Sequence, residues 1–140
     1  MSYLTQKTIK NKVSFIGIAL HSVLNVNVCL VPSRPKTGII FKRVDLNKNN
    51  LVYPNFMNVT NTSLNTTIEN EFGIKISTIE HLMCALFGMG IDNVIVEIDN
   101  EEVPILDGSA KLFIEKIISA GIEVSNEPIK IIKINKEIEY

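Results

Sequence analysis

The sequence predicts a single domain of mixed α and β structure, and three observations support that fold class. Residues 25–32 alternate polar and apolar side chains, which is the pattern of a half-buried strand. Residues 79–86 instead place apolar side chains at helical spacing. The chain has 140 residues, of which 46% are hydrophobic, so it is long and apolar enough to bury one core.

Four strands are predicted before residue 100, in chain order. The first two cover residues 25–32 and 38–43. A polar, turn-prone cluster at residues 47–50 then predicts an exposed loop. Alternating β-branched residues over 62–68 predict the third strand, and the apolar run at 93–98 predicts the fourth.

The first helix is predicted from about residue 78 to 87, and Gly88 and Gly90 end it. Its core stripe consists of apolar residues at helical spacing: Ile79, Leu82, Met83 and Leu86. The opposite side carries small or uncharged residues: His81, Cys84, Ala85 and Gly88. A helix with an apolar stripe on one side and small residues on the other is typical of a helix that other structure covers on both sides. We therefore expect a partner surface on the second side.

The second helix is predicted over residues 110–120. Ser109 is its expected N-cap, and Gly121 is its expected end. Asp107 and Gly108 predict the turn before it. Its core stripe is formed by three apolar side chains: Phe113, Ile114 and Ile117.

The last sixteen residues have a different pattern. Residues 125–128 predict a short linker, and residues 129–140 predict a new strand with four side chains on one face: Ile132, Ile134, Ile138 and Tyr140. The chain stops inside this strand, so we expect the domain that begins here to be incomplete.

Composition excludes several classes of function. The net charge of -1 gives no electrostatic reason for binding nucleic acid or an anionic membrane. The first residues lack the apolar core of a signal peptide, and no apolar run is long enough for a transmembrane segment, so a cytoplasmic location is predicted. Cys29 and Cys84 form no CxxC pair, which predicts two buried thiols rather than a disulfide.

Glu80 and His81 are the residues most suited to chemistry. A glutamate can act as general base for water, and an imidazole is a common zinc ligand, so adjacent positions could serve metal-assisted hydrolysis. Ser77 followed by Glu80 is also the pattern of a capping box, in which the carboxylate only satisfies a free amide at the helix start. The local pattern leaves both interpretations open.

Longer stretches in a fixed order carry a resemblance. They are GIALHS (17–22), TGIIFKR (37–43), ISTIEHLMCAL (76–86), GMGIDN (88–93) and EVPILDGSA (102–110). In sequence and order they closely resemble the UDP-3-O-acyl-N-acetylglucosamine deacetylases, which are zinc amidases of lipid A biosynthesis. The resemblance covers nearly the whole chain.

The resemblance implies an α+β fold with a mainly antiparallel sheet and two helices packed on one face. This would be the first half of a two-domain β-α-α-β sandwich. Residues 1–124 would then form the N-terminal deacetylase domain, and residues 125–140 the linker and first strand of a truncated second domain. The missing C-terminal domain would be the partner that covers the second side of the first helix.

The resemblance also implies roles for single residues. Glu80 would be the general base, and His81 would be one ligand of a Zn²⁺ cofactor. A histidine and an aspartate of the second domain would complete the ligand set. Cys84, three residues after His81 on the same side of the helix, is a weaker candidate for a ligand.

Three residues are implied as substrate neighbours. His21 matches a turn that approaches the active site, although Ala19 and Val23 stand where glycines are usual, and a surface-loop histidine is the alternative. Leu64 and Asn65 match a segment beside the cleft, with an ordinary strand edge as the alternative. The Asp107-Gly108-Ser109 run is a family marker that we interpret as architectural, because its residues make a turn and a cap.

The implied reaction removes the 2-N-acetyl group from UDP-3-O-(3-hydroxyacyl)-N-acetylglucosamine, with this chain inactive on its own. Two alternatives stay open. The chain could be a non-catalytic, self-associating interaction module derived from half of the enzyme. It could also be an unrelated α+β domain in which Glu80 only caps a helix.

Overall fold

The computed structural model describes residues 4–131, 133–137 and 139. Its two helices are α1 (Glu80–Gly88) and α2 (Lys111–Ala120). Its strands in chain order are β1 (Thr5–Ile9), β2 (Val13–Ile18), β3 (Asn25–Pro32), β4 (Ile39–Arg43), β5 (Leu51–Val52), β6 (Val59–Asn61), β7 (Thr67–Glu69), β8 (Lys75–Ile76), β9 (Val94–Ile98) and β10 (Ile122–Pro128).

The largest sheet has the strand order β2-β3-β9-β4-β5. Its neighbours pair antiparallel, except β4 and β9, which are parallel. The alternation predicted for β3 is confirmed, because Val26, Val28 and Leu30 are buried while Asn25 and Asn27 are exposed. One face of this sheet is therefore apolar and must be covered.

The helices supply the cover. They pack against each other, and α2 also contacts β2. Leu82 and Leu86 of α1 join Phe113 and Ile117 of α2 in the same buried cluster as the apolar sheet residues. The rings of Phe15 and Phe113 meet edge to face, with centroids 5.5 Å apart. The predicted fold class, an α+β domain with a mainly antiparallel sheet and two helices on one face, is confirmed.

Helix α1 differs in detail from its prediction. It begins at Glu80, and Met83 is half-buried rather than in the core. Ala85 is fully buried, although it was expected on the uncovered side. The reason is its position three residues after Leu82, which places it beside the core stripe. None of the helices in the described part of the chain is long and apolar enough to cross a membrane.

Two smaller sheets complete the fold. Strand β1 pairs antiparallel with β10, and β6, β7 and β8 form a three-stranded antiparallel sheet. The expected linker at residues 125–128 is instead the second half of β10, because its backbone pairs with β1, with Pro128 opposite Thr5. The division into domains at residue 124 stays a prediction.

The strand predicted over residues 129–140 lies partly outside the described residues, since Ile132, Ile138 and Tyr140 are among those not described. In the described positions 129–131, 133–137 and 139, the backbone is not assigned to a strand. The amide of Ile129 donates to the carbonyl of Leu4 at 3.0 Å, so the β1–β10 pairing extends to that residue.

The strand predicted over residues 62–68 is wrong for its first half. Residues 62–66 form a loop between β6 and β7, and Leu64 has a left-handed φ of 67°. The side chain of Asn61 accepts a hydrogen bond from the Ser63 amide at 2.9 Å, which turns the chain out of the strand.

Candidate active site

Glu80 and His81 occupy the first turn of α1, as predicted, but not as part of a capping box. The hydroxyl and amide of Ser77 both donate to the carbonyl of Glu101, at 3.1 and 2.8 Å. The Glu80 carboxylate accepts a hydrogen bond through Oε2 from the amide of Thr66, at 3.1 Å. Because both partners of the expected box bond elsewhere, the capping interpretation of Glu80 is wrong.

Glu80 is held in a way that leaves one oxygen available. Its Oε2 atom is bonded to the loop at residues 62–66, whereas Oε1 has no hydrogen-bond partner among the residues that the structure describes. The side chain is half-buried at the positive end of the helix dipole, which favours a carboxylate there. The arrangement leaves one oriented carboxylate oxygen that can accept a proton or a hydrogen bond.

His81 has an incomplete set of partners. Its Nδ1 atom is buried and has no hydrogen-bond partner within residues 4–131, 133–137 and 139. A buried polar nitrogen normally has a partner, so this atom fits a ligand or residue from outside the described chain. Zinc is one group that a neutral imidazole binds.

The described residues do not fit a complete zinc site. Within them, no three His, Cys, Asp or Glu side chains come together as a metal-binding group. A catalytic zinc needs about three protein ligands and one open position. His81 fits as one ligand, and the others would have to come from elsewhere.

The two cysteines do not match their prediction as buried thiols. Cys84 is exposed on α1, and Cys29 is half-buried on β3. Cys84 is exposed although the next residue, Ala85, is fully buried. Cys84 therefore lies on the side of α1 that faces away from the core. It shares that side with Phe87, whose side chain is 88% exposed.

His21 lies in the exposed hairpin between β2 and β3. The hairpin closes through two hydrogen bonds between Ala19 and the residues Val23 and Leu24, at 3.1 and 2.9 Å. Val23 has a φ of 58°, so a valine holds the left-handed conformation in which the family resemblance implied a glycine. Ala19 is buried, and it is not among the residues with positive φ in the described chain.

Glu102 connects this hairpin to the start of α1. Its Oε1 accepts a hydrogen bond from the His21 amide, and its Oε2 accepts one from the Ser22 amide, each at 2.9 Å. The hydroxyl of Thr78 donates to Oε1 at 3.2 Å. His21, Glu80 and His81 are thus linked through one carboxylate and a short stretch of backbone.

Glu102 is 2% exposed, so its charge depends on these donors. Burial raises the pKa of the Glu102 carboxyl, but the bonds from the His21 and Ser22 amides and the Thr78 hydroxyl outweigh burial and hold the pKa below its ordinary value. Sequence reasoning assigned this residue no role. The available signal was a glutamate directly before an apolar stretch. Such a position suggests a buried carboxylate, which needs hydrogen-bond partners.

Leu64 and Asn65 lie in the loop that holds Glu80. The side chain of Leu64 is 89% exposed, and Asn65 is half-buried with its Oδ1 accepting from the Thr67 hydroxyl at 3.0 Å. The next residue, Thr66, is the one whose amide binds Glu80. These positions are therefore next to the candidate base, and their contact with a substrate stays a prediction.

The Asp107-Gly108-Ser109 run has local bonds that fit an architectural role. The Oδ1 atom of Asp107 accepts from the amide and hydroxyl of Ser109, at 3.0 and 2.9 Å. The Ser109 hydroxyl in turn accepts from the Lys111 amide at 3.1 Å, at the first residue of α2. Gly121 ends that helix with a φ of 74°, as predicted.

Comparison with known proteins identifies the family of the chain. The sequence profile of the UDP-3-O-acyl N-acetylglycosamine deacetylase family matches residues 6–140. The UDP-3-O-acyl-N-acetylglucosamine deacetylase of Histophilus somni is 44% identical over 133 residues, and that of Photobacterium profundum is 45% identical over 133 residues. Each alignment covers 95% of this chain but only 44% of the relative, so the chain spans less than half of their length. By its sequence, this chain belongs to the UDP-3-O-acyl N-acetylglycosamine deacetylase family.

Proposed function

We propose that this chain supplies one half of the active site of a zinc-dependent deacetylase. The substrate would be UDP-3-O-(3-hydroxyacyl)-N-acetylglucosamine, whose 2-N-acetyl group is hydrolysed in lipid A biosynthesis. The observation that carries the proposal is the pair at the start of α1. There, Glu80 is anchored through one carboxylate oxygen with the other left available, and His81 has a buried nitrogen that lacks a partner in the described chain.

Glu80 is the proposed general base. The bond from the Thr66 amide orients the carboxylate, so that Oε1 can take a proton from the attacking water. Hydrolysis of the acetamide then forms acetate and a free amine, and the proton that Glu80 holds can pass to the departing nitrogen. When bound, zinc supplies Lewis-acid polarisation and a more acidic water.

His81 is the proposed metal ligand of this chain. Its partnerless nitrogen can bind zinc, and the remaining ligands would come from the part of the family that lies beyond the length of this chain. Within the same proposal, His21, Leu64 and Asn65 line the approach of the substrate. His21 is exposed in its hairpin and Leu64 in its loop, so both can meet a ligand.

A second unit is the proposed partner. The outer side of α1 carries Cys84 and Phe87, both exposed, with Phe87 near the end of the helix that begins at Glu80. Such a unit would cover that side and complete the site, so we expect the chain alone to have no useful activity. The predicted cytoplasmic location stays a prediction.

The alternative function is a self-associating interaction module without catalysis. The same exposed apolar side chain of Phe87 favours it, since a second copy could cover the helix instead. In that case the chain would form a stable homodimer and would bind zinc weakly or not at all.

The test mixes the chain with a polypeptide that supplies the remainder of the family's length, then measures zinc content and acetate release. Glu80→Gln should lower kcat about 10²- to 10⁴-fold, because it removes the general base. His81→Ala should lower the zinc content. Glu115→Gln, the same change at an exposed position of α2, is the matched control and should leave both unchanged.

Each other result has a definite meaning. A complex without zinc or turnover would support the interaction module and reject the enzyme. Unchanged zinc binding and turnover after His81→Ala would show that the pair at the start of α1 does not perform the chemistry.

A further inference from the structure

We propose that Glu102 is a positioning residue, which holds the His21 hairpin and the entrance to α1 in one fixed arrangement. The proposal rests on the proposed function, because the groups it positions are the candidate base, metal ligand and substrate neighbour. It stands on three hydrogen bonds from two segments that are far apart in sequence. The His21 and Ser22 amides donate at 2.9 Å each, and the Thr78 hydroxyl donates at 3.2 Å.

The backbone around Glu102 shares this arrangement. The Val103 amide donates to the Ser77 carbonyl at 3.0 Å, and the Ser77 amide donates to the Glu101 carbonyl at 2.8 Å. Residues 101–103 therefore run beside Ser77 as a parallel bridge. Because Glu102 is attached to that bridge on both sides, its carboxylate has a fixed place relative to the first residues of α1.

The hairpin is fixed from the same side. The Ile105 amide donates to the Ile18 carbonyl at 3.0 Å, at the end of β2. A Cβ atom added to Gly17 would lie 2.7 Å from Leu106 Cδ2 and 2.8 Å from Pro104 Cβ, so β2 is in close contact with residues 104–106. The segment 102–106 thus contacts both structures that Glu102 joins.

Thr78 shows why a hydrogen-bonded partner is needed here. The residue is 3% exposed. It is β-branched and has a φ of 55°, which is an unfavourable backbone conformation for such a residue. That conformation directs the chain from Ser77 into α1, where Glu80 and His81 follow. The bond from its hydroxyl to Glu102 helps to hold the turn in place.

A carboxylate suits this position better than an amide. Both oxygens accept hydrogen bonds, and the Ser22 amide and the His21 amide meet different oxygens. Glutamine has one acceptor oxygen and one NH₂ group, so the NH₂ would face one of these N–H donors. Glu102→Gln therefore keeps the size of the side chain while breaking at least one of the three bonds.

The test uses the chain completed by its second unit, with Glu101→Gln as matched control. Glu101 is the exposed neighbour, and its backbone rather than its carboxylate makes the bonds described above. We expect Glu102→Gln to lower kcat about 10- to 100-fold per folded molecule, the effect typical of residues that orient an active-site group. Glu101→Gln should have the activity of the unchanged protein. Unchanged kcat in folded Glu102→Gln would overturn the proposal.

A second pair of variants covers a failure of Glu102→Gln to fold. Thr78→Val removes the hydroxyl that reaches Glu102, and Thr78→Ser keeps it. Thr78→Val should displace the backbone amide resonances of His21 and Ser22 in an ¹H–¹⁵N spectrum more than Thr78→Ser does. Equal spectra in that region would contradict a link between the hairpin and α1.

The two proposals fail in different ways. If the completed protein releases no acetate, or if Glu80→Gln remains fully active, the proposed function fails. The spectra of the Thr78 variants would then still decide whether Glu102 positions the hairpin. If Glu80→Gln is inactive while folded Glu102→Gln retains its kcat, only the positioning role is rejected.

Discussion

At the scale of single residues, Glu80 and Glu102 show how burial and hydrogen bonding suit two identical side chains to different roles. Glu102 is buried, and both of its oxygens accept hydrogen bonds, so it is suited to holding structure. Glu80 is half-buried with one oxygen bonded to Thr66. A carboxylate with an available oxygen can exchange a proton with water, whereas one with three donors has little capacity left.

The surroundings of Glu102 predict how stability depends on pH. Its pKa in the folded chain is below the ordinary value of 4.5, because hydrogen-bond donors outweigh burial. Its contribution to the free energy of unfolding is therefore fully present above 4.5 and is lost as pH falls through the folded pKa. Glu102→Gln should lower the free energy of unfolding by about 2 kcal/mol at neutral pH and should weaken its decline in acid.

Thermal unfolding of both proteins between about pH 7 and pH 3 checks this prediction. Asp45→Asn is a useful comparison. The hydrogen bond from Arg43 lowers the pKa of Asp45 as well. Asp45→Asn should therefore also lose part of the acid sensitivity, here through a partly buried ion pair. Parallel stability curves for the unchanged chain and Glu102→Gln would show that Glu102 contributes no pH dependence.

At the scale of elements, β3, β4, β9 and both helices were predicted from the sequence, because one face of each packs into the core. The alternation in β3 is visible since one side faces the helices and the other faces solvent. Strand β2 was missed because its outward residues are also apolar, with Ile16 66% and Ile18 54% exposed. Strand β10 is mostly exposed and depends on backbone pairing with β1, for which local pattern gives no signal.

The same limit applied to the site: residues close together in the sequence were noticed, whereas contacts between distant residues were not. Glu80 and His81 were singled out because they are adjacent in sequence, but rejecting the capping box required the bonds of Ser77 and Thr66. Glu102 lies 81 residues from His21 and 24 from Thr78, so no local spacing could connect them. Leu64 was placed in a strand because its neighbours alternate, and the side chain of Asn61 redirected the chain instead.

The hairpin between β2 and β3 offers a test of backbone strain. Val23 is 72% exposed with a φ of 58°, a conformation that costs a β-branched residue about 1–2 kcal/mol. Glycine adopts it freely, so Val23→Gly should leave the free energy of unfolding unchanged or raise it. Val44→Gly is the control, because Val44 is also exposed but is not among the residues with positive φ in the described chain, and it should lose about 1 kcal/mol. Chemical denaturation of the three proteins measures the difference, and equal losses in both variants would show that Val23 is unstrained.

At the scale of the whole molecule, a buried amide network joins the small β1–β10 sheet to the large sheet. The Asn93 side chain donates to Gln6 Oε1 at 3.0 Å and accepts from the Gly38 amide at 3.0 Å. Gln6 in turn donates to the Pro128 carbonyl at 2.9 Å. Strand β10 is thus tied to β1 by backbone pairing and, through Gln6 and Asn93, to the edge of the large sheet.

The exposed side of α1 is where a second unit would attach in the proposed enzyme. Phe87 on α1 is 88% exposed, and an apolar side chain of that size in water favours association. If the second unit covers α1, Phe87→Ser should raise the Kd of the complex about tenfold, equivalent to a loss of about 1.4 kcal/mol. The isolated chain should keep its unfolding midpoint, because the Phe87 side chain has little packing to lose.

Phe56 provides the matched control for that experiment. It is 84% exposed but lies in the short 3-10 turn at Phe56–Asn58, in a segment separate from both helices. Titration calorimetry of the second unit with each variant should find weaker binding for Phe87→Ser only. A Kd raised equally by both substitutions would indicate non-specific apolar association, whereas a Kd raised only by Phe56→Ser would place the partner on a different face. Only selective weakening by Phe87→Ser is consistent with a second unit that covers the outer side of α1, the helix that carries Glu80 and His81.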